Sequence, residues 1–481
     1  MSPVQKSLTW IKANKVGLPV TIAVTAIGLI PLYGIAFPPL VDMAEHIFVS
    51  KLLWEKVTGT SHLDLTISWF LGYHLFPLLM LFIFALCTLS GISFVHLPAV
   101  VAGTLIVIHV IVIVIILYFQ FQPRSRKETV LAACLVLPAV AGMYSAAWFL
   151  GLVNFTLAIT LLMPGIFLTE RFLTSGRWLD ALLVFLLLGA SYMAHPFAPT
   201  FWLVWCFCRS LVSLLTLHLK REWKRIIVLG LIFLPIFIYQ FIYQLIWSGG
   251  NWTLLSHQST SLFISFHDWY FDRIDHLWTG YYLRVDDASH SQLFALFALG
   301  MVLLSTGLGL RPGQSPQIRQ IALSNFLFLL MGSWINEKVF PVPSGTWLAY
   351  DIRFSLVLYV IGLTVAGLVC FRSLVDLSPP KLRLISCAVL ALLALVAVTD
   401  HLGSVRRGYV SFDTQARKYM AQIFNNIQPA GNYFAHTQWH IDGTYLNHYI
   451  CLIQPDCLSQ GSTFNTGYAA DLYPVKMRRK Q

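Results

Sequence analysis

Long apolar runs separated by short polar connections make up most of the chain. Such runs fall at residues 17–37, 98–119, 129–148, 152–168, 226–247, 293–310, 321–334, 354–371 and 384–398. Runs of this kind predict membrane-spanning helices, because about 20 helical residues cross a hydrocarbon core. A longer run, 179–212, breaks at His195-Pro196, and a proline ends or kinks a helix at the residue before it. Another apolar stretch, 62–94, is interrupted by Gly72, His74 and Pro77. The pattern predicts an all-α polytopic membrane protein with about 10–12 membrane segments.

The connections sort by charge. Those at 124–127, 171–177, 220–225, 311–319 and 372–383 are basic, and Lys6, Lys12 and Lys15 precede the first run. Basic connections collect on the cytoplasmic side of a membrane. The N-terminus is therefore expected in the cytoplasm. The connections at 148–151, 195, 248–291 and 336–351, together with the tail, are expected outside. Asp42 then lies outside as well. The alternation holds only if 62–94 adds no net crossing, so residues 69–94 are expected to form a re-entrant or outer-leaflet hairpin, buried in protein or lining a cavity. The first span is expected to be retained, since no small-residue cleavage site follows it. The expected division is a cytoplasmic N-terminus (1–16), a transmembrane domain (17–399) with outer loops 38–68, 248–291 and 336–352, and a small extracytoplasmic C-terminal appendage (400–481).

Composition agrees. Of 481 residues, 57% are hydrophobic and only 11% charged, where a soluble protein carries about a quarter. The net charge of +11 is accounted for by the basic loops. No basic, aromatic-interleaved soluble domain accompanies it, so membrane lipid rather than nucleic acid is the expected partner.

The stretch with most chemistry follows the first span. Pro38 and Pro39 stop that helix, and Asp42, Glu45 and His46 come next. Spacings of three and four put all three on one helical face. Ile47, Phe48, Leu52, Leu53 and Trp54 are expected to turn the other face to the membrane surface. Acids beside the end of a span are costly to hold there, which makes this the first place to look for chemistry, although Asp42 alone also reads as a solvated loop acid. Further polar groups fall at the outer ends of the spans: Asn154 in a Gly-x-x-Asn turn, His195 before Pro196, Arg284 in the long loop, and Lys338, Asp351 and Arg353 near a later span. Plainer readings exist for each. Asn154 serves equally as a hydrogen-bonder between helices, His195 as a cap on a helix break, and Asp351 with Arg353 as an interfacial ion pair. The histidines of 266–291 lack a metal-ligand spacing. No cofactor is implied, and a divalent metal is left open.

Taken in order, these motifs resemble the GT-C superfamily of integral membrane glycosyltransferases. The resemblance rests on PPLVDMAEHIFVSKLL after the first span, WFLGLVNFTLAITLL (Trp148 to Leu162), AHPFAP (Ala194 to Pro199) and YDIRFSLVLYV (Tyr350 to Val360). Met43, Ala44 and Glu45 stand where the family more often has a Tyr-Pro-Asn-like run. The resemblance implies a GT-C-like helical bundle in a bacterial inner membrane. It implies a polyprenyl-phosphate-sugar donor, an extracytoplasmic glycan, lipid or protein acceptor, and inversion at the sugar. Asp42 matches the family's first-loop acid and is the implied general base. Glu45, His46, Asn154, His195, Arg284, Lys338, Asp351 and Arg353 are the candidates for binding the substrate. Arg273 is a further cation for the leaving phosphate. Two other classes stay in view: a non-catalytic scaffold or degenerate relative, and a transporter, which would want paired broken helices near the midplane.

Cys451 and Cys457 lie in the polar tail, where an oxidising compartment permits a disulfide. If the tail is extracytoplasmic, non-reducing alkylation is expected to leave both unmodified; two alkylated thiols would place the tail elsewhere.

Overall fold

The computed structural model describes residues 17–40, 43–60, 65–67, 75–92, 96–149, 151–216, 219–247, 263–284, 291–335, 350–375, 380–424 and 475–477. Asp42, Lys338, Cys451 and Cys457 lie outside the described residues, as do the side chains of Glu45 and Asp351. In chain order the helices are α1 (Gly17–Leu29), α2 (Met43–Thr58), α3 (Leu75–Ser90), α4 (Leu97–Ile116), α5 (Arg126–Ala141), α6 (Val153–Ser175), α7 (Trp178–Ala194), α8 (Ala198–Leu215), α9 (Leu219–Trp247), α10 (Gln292–Leu310), α11 (Pro316–Trp334), α12 (Tyr350–Val357), α13 (Leu363–Val375) and α14 (Pro380–Phe424). A π-helical turn, Leu358–Gly362, joins α12 to α13, and another, Leu117–Phe121, extends α4. Strands β1 (Leu65–Ile67) and β2 (Val475–Met477) pair antiparallel, which lays the end of the tail on the first loop.

Among the described residues, six helical stretches are long and apolar enough to cross a membrane, and three shorter apolar helices accompany them. The chain is a polytopic helical membrane protein. Backbone groups in lipid must be satisfied within the segment, and helices do this.

The helices run between two ends of the bundle and sort the connections to them. Gly17 at the start of α1 lies against Tyr118 at the end of α4, and Gly28 lies against Ile106 and Val110. These two helices are therefore antiparallel, and the stretch between them adds no net crossing, as the charge alternation requires. Within that stretch His46 meets Phe76 and Trp54 stacks on Phe84, so α2 and α3 lie side by side and parallel. One end of the bundle gathers the connections that carry Gln120, Arg171, Arg177, Arg311 and Arg372 around a shared cavity. This is the basic end. The other gathers the α7–α8 link, the start of α6 and the start of α12. It is called the histidine end here.

An ion cluster ties four helices together near the basic end. The Arg209 guanidinium of α8 has no exposed surface. It bonds Glu170 of α6 at 2.8 Å, Glu222 of α9 at 3.2 Å and Gln320 of α11 at 3.0 Å, and it also meets Ser213 one turn on. This is why KREWKR, expected as a loop, is helical: α9 begins at Leu219 so that Glu222 can reach Arg209. Two further expectations differ. Ile47, Leu52 and Leu53 are buried inside the protein rather than laid on the membrane surface, because α3 supplies an apolar partner for that face of α2. Residues 400–424, expected in the appendage, continue α14 without a break. Their buried positions Leu402, Val405, Tyr409, Phe412 and Ala416 follow the three-four spacing of a helical stripe.

Where α5 ends, Gly142 rests on the backbone of the Leu358–Gly362 turn. A Cβ there would lie 2.5 Å from the Tyr359 carbonyl oxygen. Backbone on both sides leaves nowhere for the atom to go, so Gly142→Ala is expected to cost about 1–3 kcal/mol. The check is the thermal unfolding midpoint in detergent, which should fall; an unchanged midpoint would mean the two segments part freely.

Candidate functional site

Local sequence fixes three of the elements that build the histidine end. Gly151 has φ 74°, a left-handed conformation suited to glycine. Its N–H bonds the Trp148 carbonyl and that of Leu152 bonds Ala147, the paired closure of a helix end, so the short helix Ala146–Phe149 stops and α6 starts at Val153. Asn154 then falls in the first turn of α6, buried, next to Phe155. Pro196 stops α7 and leaves His195 as its extended C-cap, with its N–H on the Ser191 carbonyl at 2.9 Å. The Phe197 N–H donates to His195 Nδ1 at 3.1 Å. Arg353 sits in the first turn of α12, which packs on the short helix Ala146–Phe149 and on α6.

These elements converge. The His195 ring meets Phe155 edge-on with centroids 5.2 Å apart. The Arg353 guanidinium lies 5.7 Å from the ring centres of both Phe155 and Phe197. His195 and Arg353 are each 8% exposed and Asn154 is 2% exposed. His46, half-buried on α2, approaches from the first loop and meets Phe76 at 5.9 Å. Burial holds the His195 pKa well below the usual imidazole value, and the neighbouring charges of Arg353 and then His46 push the same way. Burial likewise pushes His46 down to about 3. Both rings are therefore neutral at physiological pH. Because Nδ1 of His195 accepts the Phe197 N–H, the proton of the neutral ring is on Nε2. One fixed cation and two neutral imidazoles make a site that receives an anion. A group to take up a proton must come from elsewhere.

The first loop is held against this site by the last helix. The Asp413 carboxylate of α14 accepts the N–H groups of Ala36 and Phe37 at 2.9 and 2.8 Å and pairs with Arg417 at 2.7 Å. Arg406 donates to the carbonyls of Pro31 and Tyr33. Trp148 Nε1 donates to Tyr409 Oη at 2.7 Å, which joins α14 to the turn before α6. The backbone is thus fixed just ahead of Pro38-Pro39 and Asp42. Sequence reasoning did not single out Asp413 or Arg406; the helical stripe from Leu402 to Ala416 was the available signal.

Other expected residues take other places. Arg284 ends the turn Tyr281–Leu283 with its N–H on the Tyr281 carbonyl. Arg273 is buried and donates to the carbonyls of Ser333 and Ile335, both at 2.7 Å, so it closes the end of α11 instead of facing a phosphate. Among the described residues, no group of three or more His, Cys, Asp or Glu side chains is placed to hold a metal ion. No family model, curated protein or solved structure matches the chain.

The unfolded chain protonates His195 near the ordinary value of about 6.5. The folded chain does not, so this residue makes folding less favourable as pH falls below that value. Removing the Arg353 charge should raise the His195 pKa. Histidine-selective NMR of the full chain in nanodiscs is expected to show His195 unprotonated through pH 6, with an upward shift in Arg353→Gln. An identical titration in the two proteins would separate Arg353 from His195.

Proposed function

We propose that the chain is a GT-C-type membrane glycosyltransferase that transfers a sugar from a polyprenyl-phosphate-linked donor to an acceptor at the histidine end. The observation that carries the reading is the packing of His195 and Arg353, from separate parts of the sequence, on the same Phe155 ring in a buried site, with His46 near enough to act on His195 electrostatically. Loss of polyprenyl phosphate leaves negative charge on a phosphate oxygen. A fixed guanidinium and an imidazole N–H in a site of low water content stabilise such charge as it develops.

In this reading Asp42, four residues ahead of His46, takes the proton of the acceptor hydroxyl. The freed oxygen attacks the anomeric carbon from the face opposite the phosphate. The bond from that carbon to the phosphate oxygen breaks, its electron pair leaves with polyprenyl phosphate, and the configuration inverts. Arg353 and His195 Nε2–H receive the leaving phosphate. Asn154, beside Phe155, orients the sugar. Glu45, Asp351, Lys338 and Arg284 complete the candidate binding set. The histidine end then faces the extracytoplasmic side of a bacterial inner membrane, with the N-terminus and basic loops in the cytoplasm.

One observation favours a second reading, a non-catalytic scaffold of the same fold. The Arg353 guanidinium is packed between two phenyl rings, as a side chain does when it fills a site for structural reasons.

Donor turnover by purified protein decides between them. Wild type, assayed with undecaprenyl- or dolichyl-phosphate sugars and with or without a divalent cation, is expected to consume a donor. Asp42→Asn keeps the shape and removes the base, so its rate should drop by about 10²–10⁴-fold. Full activity in Asp42→Asn would reject Asp42 as the base. Wild type inert toward every donor would favour the scaffold.

A further inference from the structure

We propose that the cavity at the basic end binds the phosphate head group of a membrane phospholipid. This rests on the basic end alone, and it stands or falls apart from the glycosyltransferase reading.

The cavity has a volume of about 1160 Å³ and collects side chains from three inter-helix connections and from α13. Its charged lining is Arg171, Arg177, Arg311, Arg372, Glu170 and Asp180. Two of these cancel: Asp180 already pairs with Arg171 and accepts from Ser175 at 3.3 Å. Arg372 donates to the Gln120 carbonyl at 2.7 Å and keeps its charge. The guanidinium groups of Arg177 and Arg311 make no ion pair or hydrogen bond among the described residues, and both residues are exposed. The first turn of α11 adds to the positive field. Ser315, its N-cap, and Gln317 line the cavity, where the helix dipole attracts anions.

A second observation comes from the back wall. Glu170 is 3% exposed. Its Oε2 is held by Arg209, but its Oε1 is buried with no hydrogen-bond partner among the described residues. A buried carboxylate oxygen left unmatched is costly. In a cavity otherwise suited to an anion, it calls for a ligand that carries a donor beyond its phosphate, as an ethanolamine head group does. Beside the polar Gln120, Gln122 and Gln314, part of the wall is apolar, with Phe119, Phe167, Leu183 and Leu368. Leu179 of the lining is 63% exposed, and its sequence neighbour Trp178, first residue of α7, is 75% exposed; an exposed tryptophan at a helix end suits the level where lipid head groups sit. Inorganic phosphate would leave that wall in contact with water, whereas the glycerol and first chain carbons of a lipid would cover it.

Delipidated full-length protein in detergent, titrated calorimetrically with dihexanoyl phosphatidylethanolamine, tests the site. Wild type should bind. Arg177→Gln with Arg311→Gln should weaken binding by at least about tenfold, as loss of charge-assisted contacts does. Arg177→Lys with Arg311→Lys keeps the charge and should retain part of the affinity with an unchanged unfolding midpoint. Arg407→Gln removes an exposed charge elsewhere and should have no effect. Equal binding by wild type and the glutamine double variant would overturn the proposal. So would inorganic phosphate binding at least as tightly as the lipid and competing with it, since the ligand would then be a free anion.

Discussion

A guanidinium with no access to water stays in place only if every side of it is matched. Arg209 meets that condition through Glu170, Glu222, Ser213 and Gln320, and in doing so it sets the relative heights of α6, α8, α9 and α11. Removal of either carboxylate would leave an uncompensated buried charge, a loss on the order of 3–5 kcal/mol. Replacing the whole cluster with apolar residues would cost far less. The cluster is therefore better understood as a register device than as a source of stability. It decides where α9 begins, and it fixes Glu170 at the back of the basic cavity.

The two ends of the bundle solve opposite problems. At the basic end most cations are exposed or face a cavity; Arg171 pairs with Asp180 of the next helix and Arg372 donates to a backbone carbonyl. At the histidine end the Arg353 guanidinium is buried beside aromatic rings and the His195 imidazole. Water is scarce there, so each interaction counts for more than it would in solvent. Between the ends the interior is apolar, and glycines such as Gly142 and Gly165 let helices approach more closely than any side chain would allow.

Much of this was legible in the sequence. Basic connections alternate with aromatic and histidine-bearing ones, and the helices do run between two such ends. His195-Pro196 reads as a helix break and is one; Gly151 and Asn154 read as a turn and form one. His46, His195 and Arg353 read as a set because all fall at the same end. Residues whose meaning depends on a distant partner were not legible. Glu170, Arg209, Glu222 and Gln320 look like isolated polar positions until the helices are assembled. Asp413 looks like a tail residue until its carboxylate is found on the backbone of Ala36 and Phe37. The inward turn of α2 was hidden for the same reason, since its apolar face reads as membrane-seeking unless α3 is known to cover it.

Asp413 also sets an order of events in the making of the protein. Its bond to Ala36 spans 377 residues of chain. A ribosome adding roughly 5–20 residues each second finishes Asp413 more than a quarter of a minute after Phe37 has emerged. Through that interval the backbone ahead of the first loop lacks both of its hydrogen bonds to Asp413. The histidine end is thus completed only when the last long helix arrives, and any nascent chain released before residue 413 carries its acidic first loop unclamped.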